Sequence, residues 1–378
     1  MKVEWKKLGD VCKLVRGKVI SKDYLRDNKG EYPVYSSQTA NNGIFGCINS
    51  YMFDGDYLTW TTDGAYAGTI FRRKGKFNIT NVCGLIDIKE DNLNRDFLYY
   101  WLSLTAKDYV NEGMGNPKLM SNVVSTILIP FPSLSEQARI VGILDTFSAS
   151  IENLKEQIAQ RRKQYEHYRD KLLDLEGKEG VEMKTLGEVL KSLKTGLNPR
   201  KNFILNSPNS TNYYITVREL GVFDIVPIDK TDRVNDEAIV LINNRSNLEV
   251  GDVLFSGTGT IGRTALIKEK PTNWNIKEGV YTLKPYLEVI NSRFLIQLLH
   301  SNNTLKRISA LIVGDPIRSI PMKSLVTVSI PLPSLQEQSR IVSILDTFEA
   351  SIANLEAQLK ERQKQYEYYR NKLLTFEE

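Results

Sequence analysis

Two short patterns in this 378-residue chain could carry chemistry. Gly257, Gly259 and Gly262 spell Gly-x-Gly-x-x-Gly after the strand-like run Asp252-Val253-Leu254-Phe255. A dinucleotide site would need a helix next, so that its first N–H groups meet the phosphates. Arg263 to Ile267 reads instead as a second strand, which predicts a glycine turn within a hairpin. Asp87-Ile88-Lys89, with Asp54, Asp56 and Asp63 upstream, offers the carboxylates and lysine that metal-dependent hydrolysis uses. The second half of the chain has no clear equivalent, and the plainer reading is the end of a strand. The two histidines, His167 and His300, have no convincing partner for acid–base or metal work. There is no P-loop pattern and no Asn-Pro-Pro-aromatic tetrapeptide of the kind that methylates bases. The expectation is no catalytic residue, no metal site and no cofactor of its own. A single-chain nuclease or methyltransferase using the Asp87 region stands as the alternative.

Clusters suited to a polyanion are better represented. Arg72-Arg73-Lys74-Gly75-Lys76 reads as a tight basic turn, preceded by Thr59-Trp60-Thr61-Thr62-Asp63-Gly64. Farther on, Lys194 to Lys201 sets Asn198, Arg200 and Lys201 among turn residues. Lysine and arginine neutralise phosphates, whereas Asn, Thr and Arg can read base edges. Arg72, Arg73, Lys74 and Lys201 are therefore the phosphate candidates, with Arg200 beside them. Thr61, Thr62, Asn116 and Lys118 in the first half, and Asn198, Thr258, Arg263 and Arg318 in the second, are the base-edge candidates. For any one cluster a solvated basic face is the competing reading.

The elements that must position these residues come twice. Ile129-Pro130-Phe131-Pro132-Ser133-Leu134 returns as Ile330-Pro331-Leu332-Pro333-Ser334-Leu335, and the match runs without a gap to Glu176 and Glu377. A lead-in echo joins Val3–Val11 to Val181–Val189. Such internal repetition marks a structural unit used twice. Ser133 with Glu136, and Ser334 with Glu337, predict capping boxes. Beyond them Ile140, Leu144, Phe147, Ile151, Leu154 and Ile158 follow a four-three spacing, matched by Ile341, Leu345, Phe348, Ile352, Leu355 and Leu359. A sustained heptad predicts a coiled-coil seam, with Arg161 and Arg362 as charged exceptions. The fold class expected is α+β: two mixed α/β globules, each followed by a long helix. The two helices are expected to pair as an antiparallel coiled coil with pseudo-two-fold symmetry. The divisions are residues 1–132, 133–176, 177–333 and 334–378. Identities beyond the seam, at Glu136/Glu337, Gln137/Gln338, Arg139/Arg340, Asp145/Asp346, Asn153/Asn354 and Gln164/Gln365, suggest two equivalent docking sites for one kind of partner. A pure coiled-coil scaffold with globules that bind no nucleic acid is a third reading.

Composition sets the frame. The chain carries 50 basic and 45 acidic residues, a net +5, with the basic excess on the globules rather than the helices. That is a mild footprint for polyanion binding. The three cysteines are odd in number and widely spaced, which fits free thiols in a reducing cytoplasm. No apolar run is long enough for a membrane span, and the first residues have no signal-peptide core.

The repeated pattern Pro-x-Pro-Ser-Leu-x-Glu-Gln-x-Arg-Ile-Val-x-Ile-Leu-Asp, at Pro130–Asp145 and Pro331–Asp346, resembles that of the specificity (S) subunits of type I restriction-modification systems. Gly-Asp-x-Leu at Gly55 and Gly251 is a looser match. So is Gly-x-Pro-plus-basic at Gly115–Lys118 and Gly314–Arg318. The resemblance covers the whole chain. It implies two target-recognition domains, each reading half of a split double-stranded DNA target, held apart by the helices. It implies two modification (M) subunits with S-adenosylmethionine, and restriction (R) subunits that use ATP and magnesium. The S subunit itself would be non-catalytic.

Overall fold

The computed structural model describes residues 3–113, 115–200 and 202–377. The chain divides into two compact units, Met1–Lys155 with Ala357–Glu378, and Glu156–Glu356. Each is built from one globule, the first part of one long helix and the last part of the other.

In the first unit, β1 (Glu4–Lys7) pairs antiparallel with β8 (Leu128–Phe131), which joins the lead-in segment to the residues just before the long helix. Between them lie β2 (Cys12–Arg16), β3 (Lys29–Tyr35), β4 (Ile44–Ile48), β5 (Phe53–Thr61), β6 (Ile70–Ile79) and β7 (Cys83–Ile88). They form one six-stranded sheet in the order β2-β7-β5-β6-β3-β4. The helix Arg95–Thr105 caps it; Asn94 accepts from the Asp96 and Phe97 N–H groups, and Phe97, Leu98, Tyr100, Trp101 and Leu102 are buried.

The second unit repeats the plan. β9 (Glu182–Thr185) pairs with β17 (Ser329–Leu332). β10 (Leu190–Thr195), β11 (Asn212–Ile215), β12 (Arg233–Val234), β13 (Val253–Ser256), β14 (Thr264–Leu266), β15 (Trp274–Ile276) and β16 (Val280–Pro285) follow the first unit's chain order. Here the sheet divides, into β10-β16-β13-β14 and β12-β11-β15. The ten-residue β6 corresponds to β14 and β15 separated by a polar segment that contains Pro271. Proline cannot donate to a ladder, so the long strand cannot run through. The parallel pairing survives: Val34 and Tyr35 face Asn78 and Ile79, and Tyr214 and Ile215 face Asn275 and Ile276.

The long helices run Leu134–Leu173 and Leu335–Leu373. Their capping boxes are half formed. The Glu136 N–H donates to Ser133 Oγ, but the Glu136 carboxylate turns to Arg139 at 2.7 Å instead of reaching back. Ser334, Glu337 and Arg340 do the same. A guanidinium one turn away outcompetes a single backbone N–H because its bonds are charge-assisted and bidentate.

Within each unit the two helix segments are antiparallel. In the first, Phe147 stacks on Tyr369, with ring centroids 5.3 Å apart at 26°, while Leu374 joins Ile140 and Leu144 in the globule's core. In the second, Tyr168 stacks on Phe348 with the same separation and angle, and Leu173 and Leu175 join Ile341 and Leu345. The heptad therefore serves two packings. Ile140, Leu144, Ile341 and Leu345 are fully buried in the globular cores. Phe147, Ile151, Leu154, Phe348, Ile352, Leu355 and Leu359 are half-buried, and Ile158 is buried. Arg161 lies over the Phe348 ring and Arg362 over the Phe147 ring, so each charge in the seam sits on a π face.

Candidate nucleic-acid interface

The glycine-rich run of the second unit is a hairpin turn. β13 pairs with β14, from Val253↔Leu266 to Phe255↔Thr264, and Gly259 and Gly262 take φ of 77° and 93°. A Cβ on Gly257 would lie 2.1 Å from the Tyr281 ring. Backbone conformation and crowding thus account for all three glycines.

The same turn exists in the first unit, between β5 and β6, where the sequence hides it. Thr61 Oγ1 donates to the Tyr66 carbonyl and accepts from the Thr69 N–H at 3.0 Å. Ser256 Oγ donates to the Thr260 carbonyl at 2.6 Å and accepts from the Arg263 N–H at 2.8 Å. The Gly68 N–H reaches Thr61 O, as the Gly262 N–H reaches Ser256 O. Each turn then receives a second loop. Gly64 N–H donates to Pro117 O and Leu119 N–H to Thr62 O; Gly259 N–H donates to Arg318 O and Ile320 N–H to Gly257 O. The two Gly-x-Pro-plus-basic segments therefore stand at equivalent places, each laced to the turn after β5 or β13. A pocket of about 450 Å³ opens beside the second turn, lined by residues that include Thr216, Arg218, Asp232, Thr258, Lys277 and Glu278.

The expected contact residues separate into two groups. Asn116, Lys118, Lys74, Arg200 and Arg318 are exposed, and Asn198 and Thr258 are half-buried. Lys201 lies outside the described residues. The others are engaged inside their domain. Thr61 and Thr62 are fully buried, the first as the turn's clamp and the second bonded to Asp63. Arg73 is 2% exposed, its Nε on Thr59 Oγ1, its Nη1 on Asn42 O and its plane against Tyr35 and Phe71. Burial pulls its pKa down from the usual arginine range. Arg72 is bridged to Asp96 at 2.8 Å and Asp145 at 3.0 Å, over Tyr99 and Tyr100. Arg263 is exposed in part but donates to the Val217 and Leu220 carbonyls. The basic run at 72–76 is thus no turn. It lies within β6, where Lys74 and Lys76 face Asp56 and Asp54 across the ladder, and strand alternation turns Arg73 inward. Arg218 and Lys277 at the pocket escaped the sequence reading. Arg218 pairs with Asp232 at 3.3 Å, and neither residue stands in a basic cluster that would have flagged it.

Two repeated identities also find an internal use. Gln137 donates to Asn92 O and Pro132 O and accepts from the Asn94 N–H; Gln338 does the same with Val289 O, Pro333 O and the Asn291 N–H. Asp145 meets Arg72 and Tyr100, and Asp346 meets Arg293. All four, part of the set expected to mark partner docking, tie each globule to its own helix.

Among the described residues no group of three or more His, Cys, Asp or Glu could hold a metal. Asp87 ends near its own Lys89, 2.8 Å away. No helix among the described residues is long and apolar enough to cross a membrane.

Residues 2–161 and 178–364 each match the family model described as type I restriction modification DNA specificity domain. The chain belongs to that family. Its specificity-subunit members recognise DNA sequence and have no catalysis of their own, so the alternative of a single-chain nuclease or methyltransferase finds no support. The Mycoplasma pneumoniae protein S.MpnORF507P, named as a type I specificity subunit, is 30% identical over 382 residues, covering 100% of this chain and 98% of that one. The type I restriction enzyme MpnII specificity subunit of the same organism is 39% identical over 169 residues, covering 44% of this chain and 51% of that one. The fold is that of the type I restriction-modification S subunit from M. genitalium (TM-score 0.62, 17% identity, 100% and 97% of the two chains).

Proposed function

We propose that this specificity-family chain reads a split, asymmetric double-stranded DNA target, one half-site per globule. The divisions 1–132 and 177–333 are its target-recognition domains, and 133–176 and 334–378 its helices. The observation that carries the reading is the pair of laced loops, present in both units with the same hydroxyl clamp but different side chains. Asn116 and Lys118 present one set, Thr258 and Arg318 the other. Equivalent scaffolds with unlike contact groups suit two readers with unlike half-sites.

Lys74, Arg200, Lys201, Arg218 and Lys277 are the phosphate candidates, and Asn116, Lys118, Asn198, Thr258 and Arg318 the base-edge candidates. Arg72, Arg73, Arg263, Thr61 and Thr62 act behind them, by holding loops and strands. The partners are two M subunits, which carry S-adenosylmethionine and methylate adenine, and R subunits that use ATP and magnesium. The assembly works in the cytoplasm. Methylome sequencing of a host that expresses this chain with its M partner tests the reading. It should return one bipartite motif with unequal halves; an unsplit or palindromic motif overturns it.

A further inference from the structure

The turn Gln38–Gly43 of the first unit follows β3 and leads into β4, outside the laced loops. Asn41 (φ 50°, ψ 43°), Asn42 (φ 50°, ψ 31°) and Gly43 (φ 77°) are successive left-handed residues. Two of the three carry a Cβ, which makes this backbone unfavourable and persistent only where the surroundings enforce it. The enforcing group is Arg73. Its Nη1 donates to Asn42 O at 2.8 Å, and a Cβ at Gly43 would sit 2.9 Å from its Nη2. That Nη2 is buried without a hydrogen-bond partner, and Arg73 makes no ion pair among the described residues. A buried cation without a counter-ion is a poor choice for stability alone. The shape it enforces leaves Asn41 and Asn42 exposed, and their side-chain amides make no hydrogen bond within the described chain. The second unit also ties the segment after β11 to its hairpin through an arginine, but from another place: Arg263, which stands where Thr69 stands in the first unit, donates to the Val217 and Leu220 carbonyls. A rigid brace beneath an exposed loop is what a reading element requires.

We propose that the Gln38–Gly43 turn reads adenine-bearing base pairs in the first domain's half-site, with Asn41 and Asn42 as specificity residues and Arg73 as the positioning residue beneath them. An asparagine amide presents a donor beside an acceptor, which matches adenine N6 and N7 in the major groove. This rests on the DNA-reading function proposed above.

The test uses the full chain in complex with its M subunits, selecting from a pool of random duplexes that are then sequenced. Asn41→Gly and Asn42→Gly keep the left-handed backbone and delete the amides, so folding is preserved or improved. Each should lower enrichment for an adenine at one position of one half-site by about tenfold, with the other half-site unchanged. Arg73→Lys keeps the charge but loses the fork, and should blur the same positions. Variants that select both half-sites as the unaltered chain does would overturn the proposal while leaving the function standing. Selection of no split motif by the unaltered chain would overturn both.

Discussion

Thr61 and Ser256 do one job with different side chains. Each hydroxyl closes its turn by accepting one N–H and donating to one carbonyl, and both are fully buried. Ser256→Ala leaves the part-buried Arg263 N–H and Thr260 carbonyl without their partner, at a cost of about 1–3 kcal/mol, whereas Thr61→Val should cost less, because the Thr69 N–H and Oγ1 both also donate to the Tyr66 carbonyl. Denaturant unfolding should show that loss. An equal midpoint in variant and parent would mean that water replaces the hydroxyl. His300 supplies a second test. Burial, and then the charge of Arg169, lower its pKa to about 4, and its Nε2 bonds Thr264 Oγ1 at 2.8 Å. A depressed folded pKa means that the unfolded chain takes the proton first. The stability from the neutral ring is complete above the unfolded value near 6.5 and drains as pH falls toward about 4. Relative to the parent, His300→Gln should therefore lose about 2 kcal/mol less between those limits. Parallel stability–pH curves would refute this.

At the scale of elements, the sequence was most informative where periodicity is long. Both helices and the β13–β14 hairpin could be read, because heptads, capping serines and paired glycines report local backbone directly. The first unit's matching turn could not. Its clamp is Thr instead of Ser, and its glycines are spaced differently, so only the hydrogen bonds reveal the equivalence. The 72–76 segment misled because Gly75 and four basic residues have turn composition, while the partner strand β5 supplies a ladder that overrides it. The candidate site suffered most: alternation along β6, invisible without the register, decides which arginine is surface and which is core. Gln137 and Gln338 carry the same lesson into stability. Each joins its helix to the N-cap of the globule's buried helix, through Asn94 or Asn291. Gln137→Ala would strand three backbone groups and should cost about 3 kcal/mol. Hydrogen exchange should report it first at the Asn94 amide; unchanged protection there would show that the contact contributes nothing to the helix start.

At the scale of the molecule, the question is whether the two recognition domains act as modules. Replacing residues 20–120 by the equivalent part of another S subunit tests it. The first unit's core crosses that boundary: Leu58, Trp60, Ile86, Phe97 and Trp101 would come from the donor, while Leu8, Val124, Ile129, Ile140, Leu144 and Leu374 remain. A donor with the same apolar positions refills the core, because volume-conserving exchanges are tolerated best. Asp145 would lose Arg72 and Tyr100, but its side chain is 45% exposed, so an unpaired carboxylate there costs little. Gln137 keeps Pro132 O and loses Asn92 O and the Asn94 N–H unless the donor restores them in backbone, which any donor of the same fold does. The swap should then fold and retain its M subunits. It should change one half-site of the methylated motif and leave the other intact. If both halves change together, the half-sites are not assigned one to each globule, and the contact residues of the two domains would have to be sought as a single surface.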